Sequence, residues 1–324
     1  MLHIADGESV AGTLRNAAIP GTISIYGDLM YEGPAPAGLD AEPWRETRAG
    51  FIAKAGYATL AQARQYLKAC DDALAAFPVH EEVVIWLDHR LSDQLILIKV
   101  LDWFNRQNRG PVMLSLVCVD RYPGLDDFAG LGQLTPGQLT MLANTRERVT
   151  DGQLLLAQAA WNAFTSPDPS AIERFLATDT SQLPFLGAAF RRHLEEFPSV
   201  DGGLSRTERE GLSILRDRGS VPGRSLFTAV QGVEEQVFMG DSSFYRIIAD
   251  LSSARQPLCH VSDTPSTGLG EVTITEAGRR VIEGRADHVD LNRIDRWLGG
   301  VHLQGDRATW RWDPRSGRLV RHRS

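Results

Sequence analysis

Four apolar runs punctuate the first third of the chain: 2–5 (LHIA), 22–26 (TISIY), 83–87 (VVIWL) and 112–119 (VMLSLVCV). They are short, rich in β-branched residues and nearly continuous rather than alternating, the pattern of strands buried on both faces of a parallel sheet. Helical patterns separate them, at 9–18, twice within 44–77, and at 92–105. In the last, Leu95, Ile98 and Leu101 recur at helical spacing behind Ser92 as an N-cap. Strands alternating with helices predict βαβ units and a Rossmann-like parallel α/β domain over residues 1–125.

The pattern changes after Asp120. A turn at 121–124 (RYPG) leads into helical stretches at 154–164, 170–177 and 186–197, broken by Pro136, Pro167, Pro169 and Pro184. Residues 126–203 therefore read as a helical segment packed on the sheet, with 199–203 (SVDGG) as a linker. A new unit, 204–324, opens on Ser205 and Glu208 at capping-box spacing, with Leu204 as the staple. Helices are expected at 224–237 and from Asp241 or Ser242 through Leu251. Strands follow at 258–261 and 271–274, then a helix from Thr275 that stops at Gly284. Three helices, a two-stranded wing and a closing helix predict a winged-helix-like domain. Turn signals at Gly305-Asp306 and Ser316-Gly317 add a C-terminal hairpin between 310–312 (WRW) and Leu319-Val320.

The 324 residues suffice for two or three such units, and 43% hydrophobic with 23% charged residues is globular composition. No apolar run reaches membrane-span length, and no basic-then-apolar leader opens the chain, so a cytoplasmic protein without a membrane partner is expected. Cys70, Cys118 and Cys259 are too scattered for a disulfide framework or a zinc site. The net charge of -7 divides unequally: residues 1–203 carry 16 basic and 25 acidic side chains, residues 204–324 carry 18 and 16. The two parts face different partners.

Candidate chemistry follows from position. Asp6, Asp28, Asp88 and Asp120 each sit at the carboxyl end of a predicted strand, where an open parallel sheet binds its ligands. Glu8 and Ser9 turn from the first strand into a helix. There a hydroxyl and free backbone N–H groups favour an anion. Glu32, His89 and Asp93 complete the candidate set, and a carboxylate beside His89 would suit it to acid–base work. Asp and Ser at such turns are also ordinary caps, and His3 within a strand reads as a hydrogen-bonded core histidine. Walker-A, GxGxxG and HExxH signatures are absent. Gly7-Glu-Ser9 is similar to the nucleophile block of Gly-Asp-Ser esterases, but none of the eight histidines has an aspartate three residues before it. For nucleic acid the candidates are Arg246, Arg255, Arg279 and Arg280, with Arg315, Arg318, Arg321 and Arg323 behind them. A wing holding Asp263, Thr264, Ser266 and Thr267 is poorly charged for that task.

The blocks 3–9 (HIADGES), 28–34 (DLMYEGP), 85–89 (IWLDH) with 93–95 (DQL), and 184–186 (PFL) with 192–198 (RHLEEFP) resemble the bacterial family called domain of unknown function 1835, over roughly residues 1–200. Segments 204–210, 274–284 and 295–302 are similar to the C-terminal region that accompanies it. Aspartate is usual in that family where this chain has Glu8. The resemblance implies the domain plan and no activity. The expected role is a regulator or sensor whose α/β domain binds a small polar or phosphorylated ligand. The alternatives are a metal-assisted hydrolase or phosphate-transfer enzyme, with Asp6, Asp28, Asp88 and Glu32 around a divalent cation, and a non-catalytic interaction module.

Overall fold

The computed structural model describes residues 1–262 and 269–322. They form two compact units, Met1–Phe190 with Gly299–Val301, and Arg191–Leu298 with His302–Ser324. In the first unit the chain runs β1 (Leu2–Ala5), α1 (Glu8–Asn16), β2 (Thr22–Ile25), α2 (Ala41–Lys54), α3 (Leu60–Ala75), β3 (Glu82–Asp88), α4 (Leu91–Asn105), β4 (Met113–Val119), α5 (Pro136–Ala143), β5 (Glu147–Arg148), α6 (Asp151–Phe164) and α7 (Ser170–Leu176). It divides from the second within α8 (Leu186–Leu194).

The sheet order is β2-β1-β3-β4-β5, parallel except for β5, which lies antiparallel on the β4 edge. The chain leaves β1 for one neighbour and returns across it to the other, so its connections part between β1 and β3. β1, β3 and much of β4 are buried, as their uninterrupted apolar runs require. Ala5, Val84, Trp86 and Val117 pack with α1, α5 and the 131–134 segment. Neighbours alternate in direction along a strand, so Ile4, Val83 and Ile85 face the other side. α4, apolar nearly all round, is buried between β3 and α6. His3 is the core histidine expected: its Nδ1 accepts from Trp86 Nε1 at 3.0 Å, and burial lowers its pKa.

The second unit runs α9 (Arg206–Arg218), β6 (Val221–Pro222), α10 (Gly223–Gln231), α11 (Asp241–Ser253), β7 (Cys259–Val261), β8 (Glu271–Ile274), α12 (Glu276–Ile282) and α13 (His288–Asn292). Two hairpins follow in the chain, β9 (Asp295–Leu298) with β10 (Val301–Gln304) and β11 (Trp310–Asp313) with β12 (Arg318–Arg321). β8 is the central strand of an antiparallel β6-β8-β7 sheet. The Ser205–Glu208 capping box forms, and Thr275 caps α12.

Several expectations are corrected. Residues 199–203 are no linker: Val200 N–H bonds Trp312, Gly203 N–H bonds Ser199, and a Cβ on Gly203 would fall 2.4 Å from Asp287 Oδ1. The units part near residue 190 because the Arg192 side chain is bound to Glu196, Thr207 and Glu234. Ser92 does not cap α4; Arg90 occupies that position and the Ser92 hydroxyl donates to Asp93. Neither Asp241 nor Ser242 caps α11, whose N-cap is Gly240, and α10 ends at Gln231 rather than 237. The wing residues Asp263, Thr264, Ser266 and Thr267, and Arg323, lie outside the described residues.

Candidate functional site

The strand-end acids do not form one wall. Apart from Asp120, they divide into two groups, each organised by an arginine that no sequence pattern singled out.

The first group lies where the connections part. Arg90 is extended at the N-cap of α4, which turns its side chain back over the ends of β1 and β3. Its Nε donates to Asp88 Oδ1 at 2.8 Å, while Nη2 lies 3.2 Å from Asp93 Oδ2 and 3.7 Å from Asp6 Oδ2. Asp88 also accepts from Arg90 N at 3.1 Å and, through Oδ2, from Leu131 N at 3.0 Å. Asp93 Oδ1 accepts from Asp88 N at 3.1 Å. Burial pushes the Asp93 carboxyl well above the usual range; Asp88 and Asp6 push the same way, and Arg90 opposes them. Burial also raises Asp6, against the pull of Arg90. Arg90 stays firmly protonated, the surrounding carboxylates outweighing its own desolvation. Three acids and one arginine leave an excess of negative charge whenever all are ionised.

A segment after β4 covers this group. Leu131 N–H sits on Asp88, and the Ser9 hydroxyl donates to Gly132 O at 3.4 Å. Gly130, at φ +129°, approaches so closely that a Cβ there would fall 2.5 Å from Asp88 Oδ2. The expected anion seat is therefore corrected. Gly7 is the N-cap of α1, Ser9 stands inside its first turn with its hydroxyl engaged, and exposed Glu8 pairs with Arg15.

The second group is structural. Arg48 of α2, with no solvent exposure, grips Asp28 through Nε at 2.9 Å and Nη2 at 2.7 Å. Its remaining donors take the carbonyls of Leu29, Glu32 and Pro34 at 3.0, 2.9 and 3.1 Å. All five guanidinium N–H groups are thus used. The chain after β2 is irregular, so its carbonyls have no ladder partners and the arginine supplies them. The Glu32 carboxylate accepts from Tyr57 Oη at 2.7 Å. Asp28 and Glu32 do not join Asp6 and Asp88. Asp120 pairs with its neighbour Arg121 at 3.0 Å.

His89 does not work with Asp88, whose oxygens are taken by Arg90 and Leu131. Its ring is 6% exposed, 6.0 Å from Phe128 and 6.3 Å from Phe185, and its Nδ1 is buried without a hydrogen-bond partner. A buried, unclaimed imidazole nitrogen at a strand end is costly to leave bare. Among the described residues no group of three His, Cys, Asp or Glu side chains is disposed to hold a metal. The divalent-cation set fails because Asp28 and Glu32 are committed elsewhere. A cleft of about 530 Å³ opens instead beyond the amino end of β4, lined by Arg109, Val112, Arg148 and Thr150.

In the second unit Arg246 pairs with Asp250 at 2.9 Å along α11. Arg255 is exposed beyond the end of that helix, whereas Arg279 and Arg280 belong to α12. The four do not lie on one element. Among the described residues, no helix is long and apolar enough to cross a membrane. No family model matches the chain, and no curated protein is detectably similar to it.

Proposed function

We propose that the protein is a cytoplasmic ligand-responsive regulator. Its first unit, a Rossmann-like domain, takes a small polar molecule at the β1–β3 strand ends, and its second is winged-helix-like. The observation that carries this reading is the unpartnered Nδ1 of buried His89, which a ligand's hydrogen-bonding group would satisfy. The carboxyl ends of strands where connections diverge are the usual ligand crevice of such sheets. Arg90 is already engaged by Asp88, Asp93 and Asp6, so it offers no free cation to a phosphate, which favours a neutral or cationic polar ligand over a phosphorylated one.

The winged-helix reading is supported by the order helix, short strand, helix, helix, strand, strand, with the last strand central. The exposed side of α11 carries Asp241, Ser242 and Asp250, and its Arg246 is already paired, so this face suits a protein contact better than DNA. A second reading, the non-catalytic interaction module, is favoured by how many strand-end acids are taken up as ion pairs and turn caps.

Thermal melts of the full chain against neutral, cationic and phosphorylated metabolites separate the readings. A ligand at a hundred times its Kd adds about 2.7 kcal/mol to stability. The regulator reading expects such a shift from a neutral or cationic compound, abolished in His89→Phe. Silence from every class leaves the interaction module, and a shift that persists in His89→Phe moves the site elsewhere.

A further inference from the structure

Ten of the eleven arginines in Met1–Phe190 hold a carboxylate, and Arg148 is the exception. It ends β5, is exposed, and makes no hydrogen bond or ion pair with any described residue. On a basic surface an arginine left to water is ordinary. Here acidic side chains outnumber basic ones by 25 to 16 over residues 1–203, and the guanidinium still stands alone. Its neighbour Glu147 alternates to the other face of the strand.

Arg148 lines the cleft of about 530 Å³ beyond the amino end of β4, at the opposite end of the sheet from the strand-end acids. Arg109, in the turn between α4 and β4, lines it as well and is half-buried. Its carboxylate contact is long: Nη2 lies 3.4 Å from Asp151 Oδ1, on a side chain 92% exposed. A pair so open to water is weak and readily exchanged. The start of α6 closes on itself through the Thr150–Gln153 capping box, so the arginines are what the cleft offers an anion. Val112, Leu114 and Val149 add an apolar lining.

We infer that this cleft binds a small phosphate ester, apart from the strand-end site proposed above. Two guanidiniums against one loosely held carboxylate leave a net positive charge, and each presents a planar fork that fits phosphate oxygens. A volume in the range of small-ligand pockets leaves room beside the phosphate for an organic body against the apolar lining. Arg90, by contrast, already holds its carboxylates, so the two ends of the sheet take ligands of different charge.

The test titrates the full chain with phenyl phosphate, inorganic phosphate and phenol at constant ionic strength, read by NMR of the ligand. Phenyl phosphate should bind tighter than inorganic phosphate, and phenol should not bind. Arg148 holds no described residue in place, so Arg148→Gln should fold as wild type and weaken phenyl phosphate about tenfold or more. Arg148→Lys keeps the charge without the fork and should fall between. Asp151→Asn releases Arg109 and should tighten binding about two- to fivefold. Arg121→Gln removes the same charge from the other end of β4 and should leave binding unchanged, as should His89→Phe. No binding of phenyl phosphate at millimolar concentration, equal binding of phenol, equal loss in the Arg148 and Arg121 variants, or wild-type affinity in Arg148→Gln would overturn the inference.

Discussion

The assignment of Asp28 to the framework makes the sharpest prediction. Arg48→Ala removes a fully buried guanidinium, leaving the Asp28 carboxylate, 2% exposed, without its partner and the Glu32 and Pro34 carbonyls without donors. Breaking a buried pair from one side costs about 3–5 kcal/mol, because the remaining charge is stranded. At 1.4 kcal/mol per factor of ten, hydrogen exchange in peptides covering β2 and α2 should accelerate by about a hundredfold to several thousandfold. Asp28→Asn strands the cation instead but leaves an amide able to accept one bond, so it should cost less, about 2–3 kcal/mol. The double variant should be less damaged than the two losses summed, with a coupling of about 2 kcal/mol, since no orphan charge remains. Urea unfolding of the four proteins, read alongside exchange, measures the cycle. Additive losses below about 1 kcal/mol would refute the reasoning and return Asp28 to the list of ligand contacts.

Other predictions concern protons and the cover. In the second unit, burial lowers the His193 pKa to about 4 from 6.5. Burial would raise Glu208, but Arg296 and His288 outweigh it and bring the group from 4.5 to about 2. Both values are depressed, so each group's contribution is present above its unfolded pKa and lost as pH falls, through 4 for His193 and through 2 for Glu208, roughly 3 kcal/mol apiece. Melts from pH 7 downward should weaken first through the histidine, and His193→Gln should flatten that part of the profile; an unchanged slope would count against it. Asp93 has the opposite sign. Its neutral form stabilises the fold below the unfolded value of 3.8, and this is lost as pH rises through the raised native value. An infrared band of a protonated carboxyl should therefore outlast the ordinary carboxylate titration and vanish in Asp93→Asn. Gly130→Ala places a Cβ against Asp88 at a φ only glycine adopts readily, so it should cost about 1–3 kcal/mol and free Leu131 N–H for exchange; wild-type exchange at Leu131 would contradict the cover.

Much of the local structure was legible because it depends on neighbours in sequence. The four parallel strands declare themselves by uninterrupted apolar runs, and the Ser205–Glu208 and Thr275 caps by spacing alone. Ser92 and Ser9 misled for a physical reason: a small hydroxyl near a helix start is compatible with a cap, but a preceding Arg90 or Gly7 adopts the extended cap geometry just as well. β5, two residues long, and the β9–β10 hairpin have too little pattern to be read.

By itself, then, the chain determined where strands and helices form and that acids follow the strands, because periodicity and turn chemistry are local. Only the tertiary structure decided what those acids do. Arg48 reaches Asp28 from twenty residues away, and Arg90 gathers Asp6, Asp88 and Asp93 from three elements. Whether a carboxylate meets a guanidinium or an open crevice is set by how distant segments pack. The same packing left His89 Nδ1 unclaimed and set Arg148 at a cleft with no ion pair among the described residues. A missing partner, like a present one, is a property of the folded neighbourhood rather than of the residue.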